Sequence, residues 1–477
     1  MSDACDLSAV DARRLIGAKA LSPVELTKSC VDRIAKTNPA VNAMVAMDEE
    51  AAMESARNAE QAVMHGEPLG QLHGLPLGVK DLQATAGLRS TYGSLLFENN
   101  IPEEDEETVA NLRDEGAIIL GKTNTPEFGA GANTKKRVYG ATDNPFNSDL
   151  TCAGSSGGSA VALALGQVPI ATGSDYGGSL RTPSAYCGIV GIRPSPGVVP
   201  GPSRVALLSP FSVNGPMGRN VADAHLLLKA QIDLDKRDPF SCDDVMRIPE
   251  ILSGIDLAGL HIAYSEDLGC CPVDQDIRKV FQSRISAFSH VFATATEATP
   301  DLSGVHDVFE IQRGINFATA HMERLENHRD KLGPNVIDNT ERGLKFTAKE
   351  VAWAQGEQAK LYQRYVEFFD DFDVLICPTA AVSPFPHEQL SVTEINGEAM
   401  PSYMSWLALA YALTVALPVV VALPCGIDHN GMPFGIQVAG PNGSDAMVIE
   451  VAHALEQVLA TNSKTQRPVS DWSKLVA

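Results

Sequence analysis

The chain has 477 residues, of which 44% are apolar and 20% charged, and its formal net charge is −22. This composition is typical of a globular protein in solution, with enough chain to bury a large core. A surface this acidic repels phosphate backbones and anionic lipids. We therefore expect neither nucleic acid nor a membrane as a partner, and favour a small neutral or cationic molecule.

Three further patterns bear on membrane insertion, cellular location and the state of the cysteines. No run of eighteen or more apolar residues occurs, and the longest apolar stretch, 408–424, is expected to lie in the core. The acidic N-terminal residues contain no apolar signal core, which predicts a cytoplasmic location. The nine cysteines are scattered without a C-x-x-C pair, which predicts reduced thiols and neither a disulfide framework nor a zinc site. We expect no metal and no other cofactor.

Helix and strand signals alternate along the chain. Ser22 before Pro23 marks a helix start, with Glu25 placed to complete a capping box. Glycine, serine and threonine are dense between 124 and 196, where apolar runs predict a packed core of loops and helices. Further helices are predicted at 48–65, 108–115, 221–230, 276–292, 348–369 and 445–460. Strands are predicted at 75–79, 117–120, 373–377, 416–423 and 432–440.

This alternation of short apolar strands with helices predicts an α/β fold. The chain contains no internal repeat and no linker rich in proline and serine, so we expect one large domain over residues 1–477. Its first part, about 1–65, is expected to be a mainly helical segment.

Two segments rich in glycine and serine stand out, 153–160 with the sequence AGSSGGSA and 173–183 with GSDYGGSLRTP. A phosphate-binding loop is disfavoured because the terminal Lys-Ser/Thr pair is missing. The pattern G-x-S-x-G around Ser156 would suit a nucleophile elbow, but the preceding residues 144–151 resemble a loop rather than the required apolar strand. A penicillin-binding pattern is excluded because no serine stands three residues before a lysine.

A Ser-Ser-Lys arrangement remains as the third interpretation. A serine hydroxyl needs a nearby base to become a nucleophile, and a lysine can serve only when its pKa is lowered from ~10.4 to about 7–8 by burial. Lys80 follows the apolar strand 75–79, as such a lysine should. Ser155 could pass a proton between Ser179 and Lys80, because a hydroxyl both donates and accepts.

The glycines before Ser179 suggest an oxyanion hole. Backbone N–H groups of Tyr176, Gly177, Gly178 and Ser179 could together bind the oxyanion of a tetrahedral intermediate. A purely structural interpretation stays open from spacing alone. Buried lysines commonly pair with a carboxylate, and Asp81 is adjacent to Lys80, while clusters of glycine and serine commonly form turns.

These segments resemble the amidase signature family. Its pattern combines a lysine after G-x-P-x-x-V, a G-S-S-G-G-S segment and a G-S-D-x-G-G-S-x-R-x-P segment. The flanking sequences agree over most of the chain, with 225–370 the least similar part. Two departures occur, Cys152-Ala153 before the serine pair and Tyr176 at a variable position of the oxyanion loop. The matching segments are 74–80, 154–159 and 173–183, with flanking matches at 121–129, 144–146, 187–191, 215–219 and 435–437.

The resemblance implies roles for individual residues. Lys80 would be the general base, Ser155 the proton relay on a cis peptide bond, and Ser179 the nucleophile that forms the acyl-enzyme. Asp175 and Arg181 would brace the loop by an ion pair. The implied fold is one α/β domain with a twisted mixed central sheet surrounded by helices. Its signature core would span about 70–220, and its variable pocket segments about 225–410.

The function expected from this resemblance is hydrolysis of a small neutral amide, aryl amides included, or of a carbamate. A second hypothesis is an A-type component of a glutamine-dependent amidotransferase, which shares the signature and needs partner subunits. A third, a non-catalytic family member, is disfavoured because all three triad residues are present. A homodimer is compatible with the resemblance.

Substrate specificity is expected to come from the variable segments 129–138, 310–350 and 380–410. Five apolar or aromatic residues are candidates either for the pocket lining or for the core: Phe317, Met322, Trp353, Tyr403 and Trp406.

Overall fold

The structure is a computed structural model that describes residues 3–241 and 248–476. Cys242 lies outside the described residues. The strands are β1 (Met44–Met47), β2 (Pro76–Lys80), β3 (Ile118–Thr123), β4 (Lys135–Lys136), β5 (Gly140–Ala141), β6 (Asp143–Asn144), β7 (Asn147–Thr151), β8 (Ile170–Asp175), β9 (Val190–Arg193), β10 (Val213–Gly218), β11 (His261–Tyr264), β12 (Thr294–Glu297), β13 (Val374–Pro378), β14 (Glu394–Ile395), β15 (Glu398–Ala399), β16 (Val419–Ile427) and β17 (Pro433–Gly440).

The helices are α1 (Ala9–Gly17), α2 (Pro23–Val41), α3 (Glu49–His65), α4 (Glu107–Asp114), α5 (Gly157–Ala164), α6 (Thr182–Cys187), α7 (Val221–Gln231), α8 (Gln275–Phe288), α9 (Val305–His328), α10 (Pro334–Gly343), α11 (Ala348–Phe368), α12 (Ala408–Val415) and α13 (Asp445–Ala460). None of the helices within the described ranges is long and apolar enough to cross a bilayer.

Helix α3 begins and ends where the sequence predicts, and helix α2 begins where it predicts. The Asp48 side chain accepts the N–H of Ala51 at the start of α3, and Gly66 ends that helix in the left-handed conformation. Ser22 caps α2 as predicted. Half of the predicted capping box is present, because the Ser22 hydroxyl accepts the N–H of Glu25 at 3.3 Å. The return hydrogen bond from the Ser22 N–H to the Glu25 carboxylate is not among those of the described residues, and the Ser22 hydroxyl donates to the Glu60 carboxylate.

Eleven strands of the described residues form one mixed sheet in the order β1-β3-β2-β8-β10-β9-β16-β17-β13-β11-β12. Strand β2 runs parallel to both β3 and β8, whereas β10 runs antiparallel to β8 and β9. Strands from both ends of the chain join this sheet, and helices flank it. The prediction of a single large α/β domain with a mixed central sheet is confirmed.

Three adjacent central strands, β8, β10 and β9, were not predicted, although β8 runs into the second glycine-rich segment. Glycine and serine occupy the end of β8, and Gly215-Pro216 interrupts the apolar pattern of β10. Antiparallel pairing between them nevertheless continues without interruption from Ile170 opposite Gly218 to Asp175 opposite Val213. The segment 144–151, interpreted as a loop, also contains β7 and the end of β6.

The parallel pair β2 and β8 determines where the polar groups meet. Both strands are buried, and Lys80 and Asp175 are their last residues. The Lys80 N–H donates to the Thr172 hydroxyl of β8 at 2.9 Å. Because the carboxyl ends of parallel strands lie at the same edge of a sheet, the side chains that follow these strands face a common crevice.

Candidate active site

Lys80 is fully buried in the described structure, and its Nζ atom is surrounded by hydroxyl groups. Nζ lies 2.8 Å from the Oγ atoms of Ser155, Ser156 and Ser174, and 3.4 Å from the Ser174 carbonyl oxygen. Burial lowers the pKa of Lys80 to about 7, although the nearby Asp175 carboxylate raises that pKa in part. The amine is therefore neutral in a substantial fraction of molecules near neutral pH.

The adjacent Asp81 carboxylate makes a separate set of contacts. It accepts hydrogen bonds from the N–H of Thr91 at 2.9 Å and from the Thr91 hydroxyl at 2.5 Å. The structure thus gives Lys80 a set of serine partners, and a purely structural Lys80–Asp81 pairing is not needed to explain its burial.

Ser155 stands at the start of α5, behind a cis Gly154–Ser155 peptide bond, as the resemblance implies. Two glycines allow α5 to approach its neighbours. A Cβ atom on Gly157 would lie 2.1 Å from Thr134 Oγ1, and one on Gly158 would lie 2.2 Å from the backbone nitrogen of Asn124. The G-S-S-G-G segment is therefore required for packing as well as for the position of Ser155.

Ser179 lies on the loop between β8 and α6 and is partly exposed. Its carbonyl oxygen accepts the N–H of Ser156 at 3.3 Å, which connects the two glycine-rich segments directly. The structure thus brings Lys80, Ser155 and the Ser179 loop together at one edge of the sheet.

The loop is held by Asp175, whose buried carboxylate forms a bidentate ion pair with Arg181, with both N–O distances at 3.0 Å. Arg193 also donates to Asp175 Oδ1 at 3.1 Å and to its carbonyl oxygen at 2.7 Å. Burial alone would raise the pKa of Asp175, but Arg181 and Arg193 more than offset burial and hold that pKa well below its usual range. The predicted Asp175–Arg181 contact is present, whereas Arg193 was missed.

Asp175 also accepts the backbone N–H groups of Gly178 at 2.9 Å and of Leu180 at 3.0 Å. This finding revises the predicted oxyanion hole, because the N–H of Gly178 has an acceptor inside the protein. The N–H groups of Tyr176, Gly177 and Ser179 remain as candidates.

Gly178 shapes the loop in a different way. Its φ angle is +120°, in the region that favours glycine, and a Cβ atom there would lie 2.6 Å from the Cβ of Ala410. Helix α12 therefore packs directly against the backbone beside Ser179. The same helix accepts hydrogen bonds from Arg181 at the Ala410 carbonyl and the Thr414 hydroxyl, each at 2.8 Å.

The side chain of Tyr176 points into an aromatic cluster. Its ring contacts Phe211 edge to face at 5.6 Å and Phe309 at 5.9 Å between centroids. Its hydroxyl accepts the Nδ2–H of Asn316 at 2.8 Å. The Arg313 guanidinium lies 5.6 Å from its ring. Helix α9 thus covers one side of the Ser179 loop, within the variable segment.

The residues expected to line the pocket or the core behave differently from one another. Trp406 belongs to the core, where it packs against Tyr186 and Phe385. Tyr403 lines a cavity, and its hydroxyl accepts a hydrogen bond from Arg313 at 2.6 Å. Met322 and Trp353 are each 44% exposed, so the expectation that they line the pocket or the core was wrong. Phe317 is partly buried beneath Arg313.

Gly129, the first residue of the variable segment 129–138, lies close to Ser155. A Cβ atom on Gly129 would lie 3.3 Å from Ser155 Oγ and 3.2 Å from Leu82 Cδ1. Within the described ranges, the clusters of side chains that could hold a metal ion are Asp3/Cys5/Asp6 and Asp274/Asp276/His429. Neither cluster includes a residue of this site.

The fold and this site together are those of an α/β enzyme that hydrolyses amides. The sequence profile of the amidase family matches residues 25–449. The chain belongs to the amidase signature family and is an amide-hydrolysing enzyme.

Individual relatives are similar over nearly the whole length. An acylamidase of Rhodococcus erythropolis is 33% identical over 457 residues, covering 95% of each chain. The A-type component of the glutamyl-tRNA(Gln) amidotransferase of Lysinibacillus sphaericus (strain C3-41) is 33% identical over 488 residues, covering 97% of this chain and 98% of that protein. Among solved structures, a bacterial aryl acylamidase of the amidase signature family superposes with a TM-score of 0.88 at 27% identity, covering 99% of this chain and 98% of that one.

Proposed function

We propose that this enzyme hydrolyses small neutral amides, aryl amides included, or carbamates, through an acyl-enzyme on Ser179. The observation that carries the proposal is the contact between Lys80 Nζ and Ser155 Oγ at 2.8 Å, made by a fully buried lysine. Such an amine has the proton affinity that a general base needs near neutral pH. Similarity to the acylamidases supports the acyl amide as the reacting group.

In the proposed mechanism, Ser179 Oγ attacks the carbonyl carbon and transfers its proton to Ser155 Oγ. Ser155 in turn gives its own proton to the neutral Nζ of Lys80. The N–H groups of Tyr176, Gly177 and Ser179 stabilise the oxyanion. When the intermediate collapses, the protonated lysine returns a proton through Ser155 to the leaving amine. Water then attacks the acyl ester and passes a proton through Ser155 to Lys80. As the acid is released, that proton returns through Ser155 to Ser179 Oγ.

The acyl or aryl group is proposed to lie between the Ser179 loop and the aromatic side chains of α9. Tyr176 and Phe309 supply apolar surface beside the loop, and Phe128 lies next to Gly129, which faces Ser155. A mainly apolar lining with a few polar groups is suited to an aromatic substituent. The enzyme is proposed to work in the cytoplasm without a cofactor, and a homodimer remains a prediction.

The test is a panel of matched anilides, aliphatic amides, esters and carbamates with the chain purified alone. We expect turnover of at least one amide or carbamate, and its loss in Ser179→Ala. Retained turnover in that variant would overturn the nucleophile assignment. Glutamine-dependent activity that appears only after partner subunits are added would instead support the amidotransferase hypothesis.

A further inference from the structure

A cavity of about 760 Å³, the one that Tyr403 lines, lies beside α9. Its wall includes Cys270, Cys271, His306 and Tyr411, none of which takes part in the proposed mechanism. The two cysteines are adjacent in sequence, and both thiols line the same cavity. Cys270 is partly exposed and Cys271 is 5% exposed.

A tight turn brings the two thiols together. The N–H groups of Cys270 and Cys271 both donate to the Asp267 carbonyl oxygen, at 3.3 and 2.9 Å. Leu268 and Gly269 both have positive φ angles, 54° and 69°, which close the turn. The Sγ atoms lie 3.8 Å apart, within hydrogen-bond distance for sulfur.

His306 is the third member of this cluster. Its Nε2 atom lies 3.0 Å from the Cys270 carbonyl oxygen, and its Nδ1 atom lies 2.7 Å from the Tyr411 hydroxyl. A hydrogen bond from Cys271 lowers the pKa of Cys270 to about 6, with a further contribution from His306. Burial raises the pKa of Cys271 well above its ordinary value. One thiol therefore ionises readily while its neighbour keeps its proton.

We propose that Cys270 and Cys271 form a redox-active dithiol that a hydroperoxide oxidises to a disulfide, and that the oxidised enzyme turns over more slowly. The Cys270 thiolate attacks the peroxide and becomes a sulfenic acid, while the peroxide is reduced to an alcohol or water with uptake of one proton. The Cys271 thiol then condenses with the sulfenic acid, which forms the S–S bond and releases water. Counted from the two thiols, and including the proton that Cys270 releases on ionising, the protein loses two electrons and two protons.

The disulfide must change the turn. Consecutive Cα atoms are about 3.8 Å apart across a trans peptide bond, whereas disulfide-linked cysteines usually have Cα atoms about 4.4–6.8 Å apart. Ring closure between neighbours therefore distorts the backbone at Cys270, whose carbonyl oxygen contacts His306. A strained bond of this kind is also more easily reduced, so the modification is reversible.

A short path of contacts leads from the turn to the Ser179 loop. His306 contacts Tyr411, and the Tyr411 ring stacks on Phe309 at 4.1 Å between centroids, with an angle of 11°. The Phe309 ring lies so close to Gly177 that a Cβ atom there would be 3.2 Å from Cζ. Displacement of His306 is thus transmitted to the backbone that is proposed to hold the oxyanion.

The first measurement is intact mass and peptide mapping of the reduced full chain after treatment with stoichiometric hydrogen peroxide. We expect one peptide containing both cysteines to lose two hydrogens and to resist alkylation until dithiothreitol is added. This readout does not depend on the substrate or on Ser179, so its failure is distinct from failure of the proposed function. A peptide that keeps two alkylatable thiols would overturn the proposal.

Activity on the amide of the panel that is hydrolysed fastest tests the second part of the proposal, that the oxidised enzyme turns over more slowly. We expect a loss of at least threefold on oxidation, reversed by dithiothreitol, in the parent enzyme and in the control Cys425→Ala, whose buried thiol lies in β16. Cys271→Ser should form no disulfide and show no reversible loss. Tyr411→Phe should form the disulfide but lose less activity. Disulfide formation without any change in rate would contradict the coupling to the active site.

Phenylarsine oxide supplies a probe that needs no variant to fold. A trivalent arsenical condenses with two neighbouring thiols and releases water, so the reduced parent chain should take up one equivalent at this peptide. Prior oxidation should prevent that uptake. Arsenical bound elsewhere, or bound equally after oxidation, would contradict a dithiol at this position.

Discussion

The Nζ atom of Lys80 lies 2.8 Å from the Oγ atom of Ser155, in a place where the lysine has no contact with solvent. The lysine ends a buried strand, and the serine lies two residues before a buried helix, so neither side chain can turn away to bulk water. The contact explains how a group that is normally charged can accept a proton near neutral pH, because burial disfavours its charged form.

Replacing Lys80 by alanine should reduce kcat/KM near neutral pH by about 10²- to 10⁴-fold, the usual contribution of a general base. In the parent enzyme, kcat/KM should rise with pH through the Lys80 pKa of about 7 and level off above it. The rate rises rather than falls with pH because the lysine can accept a proton only after it has lost its own. The measurement is the pH–rate profile from pH 5 to 10.

Lys122→Met is the matched control, because Lys122 is also fully buried, on the neighbouring strand β3, and donates to Thr85 Oγ1 at 2.8 Å. It should lower stability but leave the midpoint of the pH–rate profile unchanged. A profile in Lys80→Ala that still rises near pH 7 with most of the parent rate would contradict the assignment.

Ser155→Ala should lower kcat by about 10²- to 10⁴-fold, because it interrupts the proposed proton path. Ser156→Ala removes another hydroxyl that lies 2.8 Å from Lys80, but outside that path. Its loss should be at least about tenfold smaller, since the lysine keeps Ser155 and Ser174 as partners. Equal losses in the two variants, measured by single-turnover kinetics, would show that Ser155 has no special role.

Asp175→Asn should lower the free energy of unfolding by about 3–5 kcal/mol, because it leaves two buried arginines without their counter-charge. Since Arg181 and Arg193 hold the pKa of Asp175 below its usual range, its stabilising effect is present above the unfolded pKa of ~3.9 and is lost only as the pH falls through the lower folded value. The difference from the parent in urea unfolding should therefore be constant from pH 5 to 8.

Asp32→Asn is the control for this measurement, because Asp32 pairs with Lys28 on an exposed face of α2. An exposed pair contributes little, so its urea midpoint should not change. A similarly small effect of Asp175→Asn would mean that the buried network does not stabilise the fold.

Gly178→Ala should lower kcat by about 10²-fold, because the new Cβ meets Ala410 and the φ angle of +120° is strained for alanine. Gly66→Ala is the control, because Gly66 also has a positive φ angle, +74°, and lies at the end of α3. A Cβ atom there would meet nothing within 4 Å, so this variant should keep the parent kcat. Steady-state kinetics should give a much lower kcat for Gly178→Ala than for the control. Comparable losses of kcat in the two variants would contradict this account.

The sequence was sufficient to predict the α/β class and most helices, because their caps and apolar patterns are local signals. Strand β8, which leads to Ser179, escaped prediction because Gly173 and Ser174 hide its apolar character, and only the pairing with β2 and β10 makes it a strand. The exposure of Met322 and Trp353 also depends on which faces of long helices meet the core, and residue type does not reveal that.

The candidate site was predicted in part. Lys80, Ser155 and Ser179 could be named because their motifs are contiguous in sequence. Arg193 lies at the end of a separate strand, and its only local signal is an arginine after the apolar run 189–192. The contact between Gly178 and Asp175 depends on backbone direction in the loop, which motif spacing does not encode.

The most direct test of the central claim is covalent labelling of the purified chain with a fluorophosphonate, followed by peptide mapping. We predict a single adduct on Ser179, formed at least about 10²-fold more slowly in Lys80→Ala, with no adduct at this peptide in Ser179→Ala. An adduct on another serine, or the same rate of labelling without Lys80, would contradict the account.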